Sequence, residues 1–279
     1  TGASNIDAVF SYNSMNFMSV ANGKASIKPL ANGFILSEGG VKDKPATKSD
    51  FAIFTNEPGT VVDYCWFRGG WWDPLTMAWN TIVRGDTKAN SPVDQPAPGA
   101  SLFVPFTLKA GETRVIRLMM AWYVPDSDLK YGQDPKDAKA ECSDPKCSCN
   151  LPFYKPWYSG KFSDINDIVN YWKTNYDDLL KKSQLFSDSF YSSTLPPEVL
   201  EAVAANLTIL KSPTVLRQTD GNLWCWEGCG DNGGCCAGSC THVWNYAQAI
   251  AHLFPSLERT LRQTEFNPSQ DKEGHQTFR

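Results

Sequence analysis

The apolar residues of this chain change their spacing part-way along it, and that change constrains the fold more than any single motif. From residue 1 to about 125 they recur with a period near two, broken by Gly, Pro and Asn. After residue 163 they recur every three to four residues. A period of two places alternate side chains on one face of a strand; a period of 3.6 places them along one stripe of a helix. Strands first and helices afterwards predict a β domain followed by an α domain, not a parallel sheet with helices interleaved. At 279 residues the chain is long enough for both.

Phe51-Ala-Ile-Phe-Thr55 and Val61-Val-Asp-Tyr-Cys-Trp-Phe67 read as strands, as do Leu102–Leu108 and Thr113–Tyr123. The last two read as a hairpin turned at Lys109-Ala-Gly-Glu112, with Gly111 supplying a positive φ. Many short strands without helices between them predict an antiparallel β-sandwich. Asp134–Asn150 is polar, holds Cys142, Cys147 and Cys149, and reads as an exposed loop. Ser163 then caps a helix whose stripe is Ile165, Ile168, Val169, Trp172, Tyr176, Leu179 and Leu180. Pro196-Pro197-Glu198 opens a second, with Val199, Leu200, Val203, Leu207 and Leu210 on one side. A third begins near Thr241 or His242, and Pro255 either kinks it or starts a successor carrying Leu257 and Leu261. The expected organisation is a sandwich over 1–160, a connecting helix over 161–190 and an all-helical unit over 191–279.

Charge narrows the class of partner. Lys and Arg number 26 against 30 Asp and Glu, without long runs of one sign. Neither nucleic acid nor an anionic membrane has an electrostatic footprint here. No apolar run approaches the roughly 20 residues that span a bilayer, so a soluble chain is expected. Ten Trp, ten Tyr and fifteen Phe exceed what a core requires, and flat rings stack on the C–H faces of sugars as well as in cores. The N-terminus TGASNIDAVF has no charged n-region before an apolar h-region and no initiator Met, so upstream sequence is expected to be missing. Export to the periplasm or the outside would follow from a signal peptide there; compartment and oligomeric state stay open.

Cys225–Ala249, CWEGCGDNGGCCAGSCTHVWNYAQA, holds five of the nine cysteines and, beside Trp226, the carboxylate Glu227. Cys225, Cys229, Cys235, Cys236, Cys240 and His242 offer soft ligands but lack two separated C-x2-C knuckles, the specific zinc pattern. No metal and no cofactor are assigned. The favoured reading is a Gly-rich loop of small residues packing beside a pocket; a disulfide, or a metal clip, is the alternative. Trp224, Trp226 and Trp244 are candidate stacking walls or core residues. The segment Phe67–Trp79, with three Trp around Gly69-Gly70 and Asp73, suits an interdomain contact or a sugar-facing loop. Asn206-Leu-Thr208 is a glycosylation sequon inside a helical pattern, and His252 reads as a packing residue.

FYSSTLPPEVLEAVAANLTILKSPTVLRQTDGNLWCWEG, followed by GCCAGSCTHVWNYAQAIAHLFPSLERTLRQTEF, closely resembles glycoside hydrolase family 116. That group contains bacterial and archaeal β-glucosidases and the animal non-lysosomal glucosylceramidase. LFVPFTLKAGETRVIRLMMAWYVP and the YWKTNYDDLL helix look like its N-terminal sandwich and linker, so the resemblance covers nearly the whole chain. It implies a multidomain β-then-α protein in which residues 191–279 supply the first helices of an (α/α)6 toroid, the chain being a fragment. It implies retaining hydrolysis of a β-glucoside or related glycoside, with Glu227 of Trp226-Glu227-Gly228 as nucleophile and an acid/base Asp in sequence beyond Arg279. Some members of the family place a sugar-binding Asp near where His242 stands, although the Cys/Gly-rich insertion departs from the family pattern; Thr241 and His242 are candidate substrate-binding residues. The rival from another class is a non-catalytic carbohydrate-binding sandwich with a helical appendage.

Overall fold

The computed structural model describes residues 4–20, 25–41, 44–128, 155–212, 214–226 and 249–276. It divides into two compact units, Thr1–Pro125 with Phe162–Thr174, and Asp126–Lys161 with Asn175–Arg279. Two antiparallel sheets make up the first. β1 (Ile6–Met15), β5 (Val61–Asp63) and β6 (Gly99–Leu108) form one, in the order β1-β6-β5. β2 (Ser26–Leu30), β3 (Gly33–Glu38), β4 (Ser49–Thr55) and β7 (Leu118–Tyr123) form the other in chain order.

Strand alternation decides what each sheet buries. Ile27, Phe34, Leu36 and Ile53 of the four-stranded sheet share a core with Ala100, Leu102 and Val104 of the three-stranded one. Their neighbours Ile35, Ala52, Phe54 and Met119 project from the opposite face, where Ile165 and Val169 of α2 (Ile165–Tyr191) cover them. β3 is therefore buried on both faces along all six residues. Its hairpin partner β2 is an edge, and so is β7, which leaves Met120 and Trp122 exposed.

The antiparallel, β-rich first part is as expected, but three of its details differ. Lys109–Glu112 does turn, with Glu112 donating its N–H to the Lys109 carbonyl at 3.0 Å and Gly111 at φ +74°. The flanking strands do not pair: β6 lies beside β1 and β5, and β7 beside β4. Alternation is the same whichever strand is the partner, so it cannot separate a hairpin from a crossover between sheets. Arg114 anchors the crossing segment through an ion pair to Glu57 at 2.6 Å and by lying over Phe106. The expected strand at Val61–Phe67 shortens to the three residues of β5, after which Tyr64 and Trp66 donate to the carbonyls of Asn90 and Gly99. A helix, α1 (Pro74–Val83), also interrupts the strands, started by Pro74 in its first turn and by Asp73, which accepts the Thr76 N–H at 3.0 Å. None of its residues is buried.

Asp164, not Ser163, caps α2: its Oδ1 accepts the N–H groups of Asn166 at 2.7 Å and Asp167 at 3.0 Å. Ser163 instead donates its N–H and hydroxyl to Asp167, and the hydroxyl bond is the first cause holding that carboxyl below its ordinary pKa. The second unit contains α3 (Pro197–Leu207), β8 (Val215–Arg217), β9 (Leu223–Cys225), α4 (Ala249–Leu253) and α5 (Pro255–Phe266). Pro255 starts a helix and does not kink one. The expectation of an all-helical unit fails at β8 and β9, which pair antiparallel. Leu223, Cys225, Ile250 and Leu261 form its core with Leu210, Val215 and Leu257 packed around them. No helix among the described residues is long and apolar enough to cross a membrane.

Candidate active site

The β8–β9 hairpin leads directly to the carboxylate singled out in the sequence. Val215 pairs with Cys225, Leu216 with Trp224 and Arg217 with Leu223. Between them Gln218 donates its N–H to the Asn222 carbonyl at 2.8 Å, and Gly221, at φ +95°, donates to Gln218 at 3.0 Å. Asp220 tightens the turn by accepting the Asn222 N–H at 2.9 Å. Past the last strand residue, Trp226 still donates its N–H to the Thr214 carbonyl at 3.1 Å. The ladder thus holds the backbone up to the residue before Glu227.

Glu227 itself, with Thr241, His242 and Trp244, lies outside the described residues, as do Cys229, Cys235, Cys236 and Cys240. Trp224 and Trp226 are described, and both are buried, at 5% and 3% exposure. The Trp224 indole donates to Gln218 Oε1 at 2.8 Å, fastening the strand to its own turn. Neither ring presents an open face among the described residues.

Cys225 is a packing residue. Its thiol is fully buried, and burial pushes its pKa far up, with Glu258 and Glu265 adding to the rise and Arg262 opposing it. Metal binding and nucleophilic attack both need the thiolate, which this setting disfavours. Among the described residues no group of three His, Cys, Asp or Glu side chains is placed to hold a metal.

α5 supports the hairpin from its open side. Leu223 donates its N–H to Thr264 Oγ1 at 3.1 Å. Arg262 bridges Glu258 at 2.8 Å and Glu265 at 2.7 Å on the same helix. On β8, the Arg217 guanidinium lies 4.3 Å from the centre of the Trp157 ring, and Lys161 Nζ lies 3.8 Å from it. His252 lines an apolar cavity of about 500 Å³ with Phe186, Phe190, Leu200, Val203 and Leu253. Asn206, the sequon residue, sits in α3 and donates its side-chain amide to the Ala202 carbonyl at 2.8 Å.

Sequence reasoning missed the hairpin, and it offered the helix that backs it only as one of two outcomes at Pro255. One signal for the first was Asp220-Gly221, a turn dipeptide between the short strand-like runs Val215-Leu216-Arg217 and Leu223-Trp224-Cys225. For the second, Glu258 and Arg262 stand at i and i+4.

The family model described as beta-glucosidase 2, glycosyl-hydrolase family 116 N-terminal, matches residues 9–179 of the chain. The match takes in both sheets and the first half of α2 and stops short of β8, β9 and Glu227. No curated protein matches.

Proposed function

The chain belongs to glycosyl-hydrolase family 116 through its N-terminal domain, and from that membership we propose that it is the sandwich and the opening of the catalytic domain of a retaining β-glycosidase. On this reading the sandwich spans 1–160, the linker helix 161–190, and 191–279 begins an (α/α)6 toroid. The substrate is a β-glucoside or a related β-linked glycoside.

Glu227 is the nucleophile. Ionised, it attacks the anomeric carbon, the glycosidic bond breaks as an acid partner protonates the leaving oxygen, and water then hydrolyses the glycosyl-enzyme. A retaining pair of carboxyls stands about 5–5.5 Å apart, so the nucleophile's backbone must be held closely. The observation that carries the reading is the match over well more than half of the chain. The ladder from Thr214 to Trp226 supports it, because it ends one residue before Glu227. Trp224 and Trp226 secure that strand, while Thr241, His242 and Trp244 are proposed as the sugar-binding residues.

Hydrolysis of an aryl β-glucoside by the full-length protein tests this. Glu227→Gln should lower kcat by at least about a thousandfold with little change in KM, because the amide keeps the shape and loses the nucleophile. Azide should restore turnover to Glu227→Gly and yield the α-glycosyl azide. Near-normal kcat in Glu227→Gln, or a β-azide product, would remove Glu227 from the mechanism.

A further inference from the structure

Among the described residues β9 pairs with a strand on one side only, that of β8. Strand pairing satisfies the groups that face β8; a buried N–H on the other side needs a partner from elsewhere. At Leu223, which is 2% exposed, that partner is Thr264 Oγ1. Thr264 is equally buried, and its hydroxyl donates its own proton to the Thr260 carbonyl at 2.9 Å, one turn back along α5. Its proton is thereby committed to the helix and its lone pair to the strand. A hydroxyl used in both directions is a rigid joint, because rotating it breaks one bond or the other.

The helix that carries this joint is itself well fixed. Leu261, three residues before Thr264, is in the core with Leu223 and Cys225. Arg262 ties the preceding and following turns together through Glu258 and Glu265. The strand end is therefore held at two points: Thr214 receives the Trp226 N–H on the β8 side, and Thr264 receives the Leu223 N–H on the α5 side.

We infer that Thr264 is a positioning residue for catalysis, its hydroxyl setting where β9 delivers Glu227. This rests on the assignment of Glu227 as nucleophile. Displacing a reacting group by about 1 Å is enough to cost on the order of a hundredfold in rate, and Thr264 acts four residues upstream of that group.

The test uses the full-length enzyme. Thr264→Val keeps the branched shape and deletes the hydroxyl; kcat should fall by roughly ten- to a hundredfold with KM within about twofold. Thr264→Ser restores the hydroxyl and should restore kcat. Exchange of the Leu223 amide, followed by mass spectrometry or NMR, should accelerate in the valine variant by on the order of tenfold or more and return in the serine variant. Thr264→Ala deletes the same hydroxyl without adding a methyl and is read in the same way should the valine variant not fold. Leu261→Ala, assayed well below its melting temperature, reports what loosening the core alone does to kcat. Unchanged exchange in the valine variant would show that the bond is not made. Faster exchange with unchanged kcat, or a kcat loss no larger than that of Leu261→Ala, would show that it does not position the site. Glu227→Gln is assayed separately: if it keeps turnover, the nucleophile assignment fails, whereas the Leu223 exchange result judges the joint by itself.

Discussion

Asp63, at the end of β5, is 4% exposed and accepts the Cys65 N–H at 3.1 Å and the Asn90 side-chain amide at 2.9 Å on one oxygen. Burial raises its pKa; those two bonds and the charge of Lys88 oppose the rise without cancelling it. A carboxyl whose folded pKa lies above its unfolded value favours the folded state when protonated. That contribution is complete below the unfolded pKa and is lost as pH rises through the folded one. Asp63→Asn keeps an oxygen for both donors and removes the charge. Its melting temperature should match or exceed that of the parent at pH 7, and the difference should shrink on acidification as the aspartate takes up its proton. A variant that is less stable at pH 7 and gains relative stability on acidification would contradict the sign. Gly33 is constrained by space instead of charge. A Cβ there would lie 2.2 Å from the Ile53 carbonyl oxygen and 2.7 Å from Phe54 Cα, both backbone atoms of the paired strand. Gly33→Ala should cost about 1–3 kcal/mol in chemical denaturation. Gly39 has nothing within 4 Å of the same position, so Gly39→Ala should change stability by less than about 0.5 kcal/mol.

At the level of elements, legibility tracked length. β4 and the long stripe of α2 span enough residues for a period to show, and both were read at nearly their observed places. β8 and β9 are three residues each, too short for any period, so only Asp220-Gly221 could have revealed them. The crossing from β6 to β7 was hidden for a different reason. An apolar face specifies that a strand is half-buried, but its partner is chosen by what else the core must cover, here β4 on one side and β1 with β5 on the other. The α2 cap moved from Ser163 to Asp164 because two adjacent residues compete for the first N–H groups, and the carboxylate took them while Asp167 accepted from the serine. Within the site, Glu227 was singled out by resemblance and not by any local signal. The support for its strand joins residues 223 and 264, and a hydrogen bond over 41 positions leaves no trace in local spacing.

For the molecule as a whole, the four-stranded sheet raises the question of what the sandwich needs in order to fold. One of its faces is satisfied by the three-stranded sheet. The other carries Ile35, Ala52, Phe54, Met119 and Tyr123, and the residues that close it, Ile165 and Val169 with Phe162, Ile168 and Trp172 packed around them, all come from beyond position 160. Tyr123 is tied to the same segment through its hydroxyl, which donates to the Phe162 carbonyl at 2.7 Å. Lys173 adds a cation over the Phe54 ring at 5.1 Å. Fully burying one large apolar side chain contributes about 1.5–3 kcal/mol, so uncovering three or four forfeits an amount comparable to the 5–15 kcal/mol by which a typical domain is stable. It would also leave an apolar patch on a sheet whose edge strands, among the described residues, are β2 and β7. The first half of α2 is therefore part of the sandwich's core, which accounts in physical terms for a family match that continues to residue 179 instead of stopping at the last strand. A polypeptide of residues 1–179 should be monomeric and unfold in one cooperative transition, whereas residues 1–128 alone should bind an apolar dye, aggregate, or melt without cooperativity. Equal solubility and equally sharp melting of the two, by circular dichroism and size-exclusion chromatography, would show that the strands suffice and that α2 is only a connector.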